Sequence, residues 1–199
     1  ALLDELQAHN GATSKLFRAQ LAAKAFAHAA SYDTMVAGYL MQKWPQTDQS
    51  WPATLTAVFN KKSDLRYGEN PHQRAALYRE PGAPEGSLAL AEILQGKELS
   101  YNNLLDLDSA WRLALSFSDT ATAIIKHNNP CGAALGASPD EALSKAIECD
   151  PVSAFGGIVA FNREVDAEAA GRLTESFYEA ILAVSAIVIP ATRHWCAAC

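Results

Sequence analysis

Between Ser14 and Lys43 the apolar positions are Phe17, Leu21, Ala25, Phe26, Ala29, Tyr32, Val36, Tyr39 and Leu40. Steps of three and four residues bring such side chains onto one face of a helix. The pattern predicts one long or kinked amphipathic helix, capped by Thr13 or Ser14. It stops in Trp44-Pro45-Gln46-Thr47-Asp48-Gln49-Ser50-Trp51-Pro52, where two prolines forbid continued helix and suit an extended connector. A domain boundary is expected at about 45–53, dividing 1–48 from 49–199.

Beyond it, short β-like runs alternate with helical ones. Leu55–Phe59, Ala75–Tyr78, Ala121–Ile125 (ending at Lys126), Gly157–Phe161 and Ile181–Ile189 read as strands. Asp106 or Asp108 is expected to cap a helix through Trp111, Leu115 and Phe117. Ser138-Pro139-Asp140-Glu141 supplies a cap, a proline at the first helical position and two acids in the first turn, so a helix should run to about Cys149. Asp166 starts another. The alternation predicts an α/β protein, a mixed sheet with flanking helices, preceded by the long helix.

Ligands of open α/β sheets bind beyond the carboxyl ends of the strands, in loops, so the loops carry the candidate chemistry. In Asp64-Leu65-Arg66-Tyr67-Gly68-Glu69-Asn70-Pro71-His72-Gln73, Arg66 offers a forked, permanently charged donor set that matches phosphate. Tyr67 adds a ring and a hydroxyl, Gly68 allows close backbone approach, and the Asn70-Pro71 turn would present His72 and Gln73. The alternative is an ordinary solvated turn. In Lys126-His127-Asn128-Asn129-Pro130-Cys131-Gly132, the neighbouring ammonium would disfavour protonation of His127. An ordinary histidine titrates near a pKa of roughly 6.5, so this neighbour favours a neutral base. Lys126 would then face a phosphate or a developing oxyanion. Alternatively, Lys126 is the solvated end of a strand and His127 caps a turn. In Leu94-Gln95-Gly96-Lys97-Glu98-Leu99-Ser100-Tyr101-Asn102-Asn103, the amides of Asn102 and Asn103 could address a polar heterocycle or cap the following helix. Gly156 and Gly157 stand at a strand entrance without phosphate-loop spacing.

Composition narrows the partners. With 16 Lys and Arg against 22 Asp and Glu the formal net charge is −6, which does not suit a nonspecific nucleic-acid binder. A chain that is 49% hydrophobic and 19% charged has enough apolar surface to fold. The longest uncharged run, Ala180–Thr192, is too short to span a membrane, which takes roughly 20 apolar residues. No secretory signal and no initiator Met open the chain, so a fragment of a cytoplasmic protein is expected. Four cysteines are too few and too unevenly placed for a disulfide framework. His127 is followed by Asn128 and Asn129, and the residue three after Cys131 is Ala134, so the zinc-deaminase ligand pattern fails and no metal is expected. Cys131 reads as a small packed thiol or, beside a histidine, as a nucleophile. Cys196 and Cys199, near His194, have the spacing of half a zinc site or a redox pair.

Four segments in order carry a resemblance. They are Leu65–Gln73, Leu94–Asn103, Ile124–Gly132 and Asp150–Gly157, and they resemble the bifunctional purine-biosynthesis family, which joins an IMP cyclohydrolase domain to an AICAR transformylase domain. Ala22–His28 through Asp33 is similar to the last helix of the cyclohydrolase domain, so the likeness covers about 13–183. It implies a cytidine-deaminase-like transformylase subdomain and formyl transfer from 10-formyltetrahydrofolate to the 5-amino group of AICAR, giving FAICAR. The cyclohydrolase part would close the ring to IMP. On matching positions it implies that His127 assists proton removal and that Lys126 steadies the oxyanion or protonates the departing folate nitrogen. Arg66 and Tyr67 would hold the nucleotide, with His72, Asn102 and Asn103 lining its pocket. Homodimers with sites at the subunit interface are implied as well.

The chain also departs from that family. Most of a cyclohydrolase domain and the second α/β half of a transformylase are missing, and 184–199 diverges, as expected of a truncated or frameshifted reading frame. Little activity is therefore expected from the chain alone. Two competing readings stand beside the enzyme: a truncated, noncatalytic nucleotide-binding or assembly module, and a cysteine redox or zinc module.

Overall fold

The computed structural model describes residues 1–44, 54–184 and 186–188. The expected boundary at 45–53 and the Cys196–Cys199 pair lie outside the described residues. The chain divides into two compact units, Ala1–Phe59 and Asn60–Cys199.

In the first unit, α1 (Leu2–Ala8) precedes α2 (Lys15–Lys43), which matches the predicted long helix. Ser14 is its cap, its hydroxyl accepting from the Phe17 amide at 3.2 Å. Glu5 accepts from the Ser14 amide at 2.8 Å, and this bond holds the Glu5 carboxyl below the usual range. Among the described residues no residue of α2 is buried, and Phe26, Tyr32, Met35 and Tyr39 are exposed. Among the described residues of this unit nothing covers the apolar stripe.

The second unit begins with a two-stranded antiparallel sheet, β1 (Asn60–Leu65) and β2 (Ala75–Arg79). Leu55–Phe59 is not a strand. Pairing with β2 selects the polar run Asn-Lys-Lys-Ser-Asp-Leu instead, and Leu65 packs onto the core. A 3-10 turn at Leu88–Leu90 leads to β3 (Glu92–Gln95). Next come α3 (Tyr101–Leu115), β4 (Ala121–Lys126), β5 (Asn129–Leu135), α4 (Pro139–Cys149), the single turn α5 (Pro151–Ala154), β6 (Ile158–Phe161), α6 (Ala167–Leu173), β7 (Ala180–Ala183) and β8 (Ala186–Val188).

Six strands form one mixed sheet in the order β3-β8-β7-β6-β4-β5. The β3–β8 and β6–β7 pairs are parallel and the rest antiparallel. Alternation along each strand builds two cores. Ala123, Ile125, Ile158 and Ala160 meet α3 through Leu107, Ala110 and Trp111 on one face. Ile124, Val159, Phe161 and Ile181 meet α4 and α6 through Leu143, Ala146, Ala169 and Leu173 on the other. The expected α/β fold with a mixed sheet and flanking helices is thus observed.

Three expectations need correction. Asp106 and Asp108 lie inside α3, not at its start, because Ser100 and Asn103 form a capping box about two turns earlier. Phe117 falls beyond that helix, which ends at Leu115. Ile181–Ile189 is not one strand: the chain reverses after Ala183, and β7 and β8 pair with Ala183 opposite Ala186. Periodicity alone does not register a reversal of direction inside an apolar run. The helix predicted from Ser138 and the one predicted from Asp166 both form, each with its cap hydroxyl or carboxylate accepting a first-turn amide.

Candidate functional site

The candidate residues lie at one end of the six-stranded sheet, where β4 finishes and β6 and β7 begin. The loop between β1 and β2 is docked on the start of α3 by main-chain bonds. The Arg66 amide donates to the Leu99 carbonyl at 2.9 Å and the Tyr101 amide to the Tyr67 carbonyl at 3.0 Å. Asn102 Nδ2 donates to the Glu69 carbonyl at 3.1 Å. Within the loop, the Gly68 amide donates to Gln73 O at 2.9 Å, and Gln73 Oε1 accepts the Asn70 amide at 2.8 Å. Sequence reading presented Gln73 as a displayed side chain; it is a brace of its own turn.

Arg66 is half-buried, its guanidinium carbon 4.9 Å from the centre of the Tyr67 ring, and it donates to the Tyr67 hydroxyl at 3.3 Å. Arg66 Nε is buried with no hydrogen-bond partner among the described residues. Leaving such a donor unmet costs about 1–3 kcal/mol. Asn103 is committed to capping: its Oδ1 accepts from the Ser100 amide at 3.0 Å and the Ser100 hydroxyl at 2.8 Å. Its Nδ2 donates to Glu179 at 3.4 Å. His72 stands exposed on the loop.

Lys126 and His127 arrive on the β4–β5 hairpin. Lys126 Nζ donates to the Phe155 carbonyl at 2.7 Å. His127 and Asn128 form the two-residue tip, with φ of 52° and 60°. His127 is exposed. Pro130-Cys131-Gly132, read as a loop from sequence, belongs to β5, with a register shift that passes over Cys131. Proline is tolerated there because β5 is an edge strand.

The Arg66 half and the His127 half are joined by a continuous chain of contacts. Asn103 holds Glu179, the Glu179 amide donates to the Gly157 carbonyl at 2.9 Å, and the neighbouring Phe155 carbonyl receives Lys126. Arg66, Tyr67, Asn102, Asn103, Lys126 and His127 therefore share one end of the sheet. None of them lines the cavity of ≈ 390 Å³ that lies beside Trp111 and Leu182.

Burial, reinforced by Asp150 and partly opposed by Lys126, pushes the Cys131 thiol up, which disfavours a thiolate nucleophile. Hydrogen bonding from Ser153, aided by Lys126, holds Asp150 below the usual carboxylate range. Among the described residues no group of three His, Cys, Asp or Glu side chains is placed to hold a metal ion. No helix among them is long and apolar enough to cross a membrane.

A family model described as the AICARFT/IMPCHase bienzyme matches residues 1–188. The chain belongs to this family. The match begins ahead of, and ends beyond, the 13–183 stretch covered by the sequence motifs. Two proteins named bifunctional purine biosynthesis protein PurH, from Desulfitobacterium hafniense strains DSM 10664 / DCB-2 and Y51, are each 54% identical over 178 residues. Each alignment covers 87% of this chain and 34% of the relative, so the chain spans about a third of the length of the curated relatives it matches.

Sequence reasoning missed the contacts of three residues in this AICARFT/IMPCHase chain. Glu179, at the head of β7, receives Asn103 and is anchored on Gly157. Asp106 accepts the Asn128 amide at 2.6 Å, and Ser109 donates to Asn128 Oδ1. An Asp and a Ser three apart are helical-face neighbours, a spacing that signals a shared partner. The cap assignment given to Asp106 hid it.

Proposed function

We propose that the chain carries the nucleotide-binding and proton-transfer part of an AICAR formyltransferase, within a longer protein that also has IMP cyclohydrolase activity. In this reading Arg66, stacked on Tyr67, grips the phosphate of AICAR, and the amides of Asn102 and Asn103 with His72 address the rest of the nucleotide. His127 takes the proton from the 5-amino group as that nitrogen attacks the formyl carbon of 10-formyltetrahydrofolate. Lys126 steadies the oxyanion, and the N10–formyl bond then breaks, with a proton delivered to N10, leaving FAICAR and tetrahydrofolate. No described residue is assigned to the folate. A cytidine-deaminase-like subdomain, a homodimer and a cytoplasmic location complete the reading.

The observation that carries it is Arg66 Nε, a buried cationic donor with no partner, on a loop tied to the same helix end as Asn102 and Asn103. An anionic oxygen would satisfy it. A second reading is that the same residues bind the nucleotide without turnover.

Calorimetry with AICAR and a formyl-transfer assay separate the two. Arg66→Ala should weaken AICAR binding about 10- to 100-fold, the loss of a charge-assisted hydrogen bond. His127→Ala should leave binding nearly unchanged and lower turnover about 10²- to 10⁴-fold, as for loss of a general base. Binding without turnover in the unsubstituted chain selects the second reading. Binding that ignores Arg66→Ala removes both.

A further inference from the structure

The β4–β5 tip is a turn that two successive non-glycine residues seldom form, although Asn and His enter its left-handed region more readily than most. Two-residue hairpin loops with positive φ at both central positions favour Asn-Gly or Asp-Gly, because glycine enters that region freely. Here the two residues are His127 and Asn128, at φ 52° and 60°, and neither is glycine. Such positions persist when the surroundings over-determine them.

The surroundings here come from α3. Half-buried Asp106 accepts the Asn128 amide at 2.6 Å, a short bond to a carboxylate, and Ser109 donates to Asn128 Oδ1. Asn129 Nδ2 closes the turn on the His127 carbonyl at 2.8 Å. Leu107 and Ala110, the neighbours of Asp106 and Ser109 on α3, are fully buried against the sheet, so the helix offering these groups cannot shift freely. The same helix, one turn earlier, holds the Arg66 loop through Tyr101 and Asn102.

We infer that Asp106 is a positioning residue: through the amide of Asn128 it locks the hairpin tip and so sets where His127 stands relative to the Arg66 loop. It touches neither substrate in this account. The inference rests on the formyltransferase reading for the role of His127, whereas the locking of the tip stands on geometry alone.

The test uses the full chain and nuclear magnetic resonance, with AICAR as the probe. Asp106→Ala should speed exchange of the Asn128 amide proton about tenfold or more, with other β4 and β5 amides unchanged. Asp106→Asn, which retains an acceptor oxygen, should stay within about threefold of the unsubstituted chain. Asp106→Ala should also lose the change in the His127 ring signals that AICAR causes, and adding Asn128→Gly should restore it, because glycine enters the left-handed region of the turn without strain. The AICAR Kd should move less than about threefold in each variant, since Arg66 is untouched. Unchanged Asn128 exchange in Asp106→Ala overturns the inference, and so does faster exchange spread across the whole hairpin. If Asp106→Ala fails to fold, Ser109→Ala, which should speed the same amide selectively, takes its place under the same criteria. Absence of any AICAR binding by the unsubstituted chain defeats the formyltransferase reading, and the Asn128 comparison still decides whether Asp106 locks the tip.

Discussion

Glycine 132 shows how one hydrogen atom can determine a packing distance. A Cβ built there would lie 2.0 Å from the Ala146 carbonyl oxygen and 3.2 Å from Cys149 Cβ, so α4 rests directly on the β5 backbone. Gly132→Ala should destabilise the chain by about 3 kcal/mol or more, the upper end of overpacking costs, measured by urea unfolding. Gly171, inside α6 with nothing within 4 Å of its missing Cβ, supplies the control. Its replacement by Ala should add about 0.5–1 kcal/mol through helix propensity. Opposite signs are required; equal small effects would mean that α4 can retreat. Arg66 was readable as an anion ligand from its chemistry and neighbours, but its buried, unpartnered Nε was not, because burial is a property of what folds over a residue.

Elements defined by local chemistry were legible. Ser138-Pro139 and Asp166 announced their helices because the caps act within one turn, and Ala121–Ile125 announced a buried strand by its unbroken apolar run. The polar strand β1 and the edge strand β5 were not, because their partners, not their composition, select them. α3 was placed too late for a related reason: two aspartates looked like caps, yet one of them serves a hairpin far along the chain. Asn162, buried after β6, joins elements in the same long-range manner. Its Oδ1 accepts the Ala121 amide at 2.8 Å, and its Nδ2 donates to the carbonyls of Phe117 at 3.0 Å and Asp119 at 2.7 Å. Asn162→Ala should cost about 2–4 kcal/mol, since buried main-chain groups lose their partners. Thermal unfolding would read it, and a loss below 1 kcal/mol would mean that water replaces the amide.

For the molecule as a whole, acid stability follows from its carboxylates. Arg172 grips Asp140 through two bonds of 2.7 and 2.9 Å between α6 and α4, and this hydrogen bonding lowers the Asp140 carboxyl below its ordinary value. A depressed native value gives stability that is complete above the unfolded pKa, near 3.9, and is lost as pH falls through the native one. Asp150 and Glu141 act in the same direction. Asp140→Asn should therefore flatten the decline in stability from about pH 4 downward, modestly, because the pair is partly exposed. Denaturant titrations at stepped pH would show it, and an acid limb as steep as before would exclude this pair as a contributor. The sheet's order has a further effect. Among the described residues β5 forms one rim, paired on one flank to β4 alone. Pro130 and the skipped residue at Cys131 interrupt its row of amides, so a stray strand from another molecule finds no continuous ladder to extend. The proline that looked like part of a reactive loop also guards the fold against edge-to-edge polymerisation.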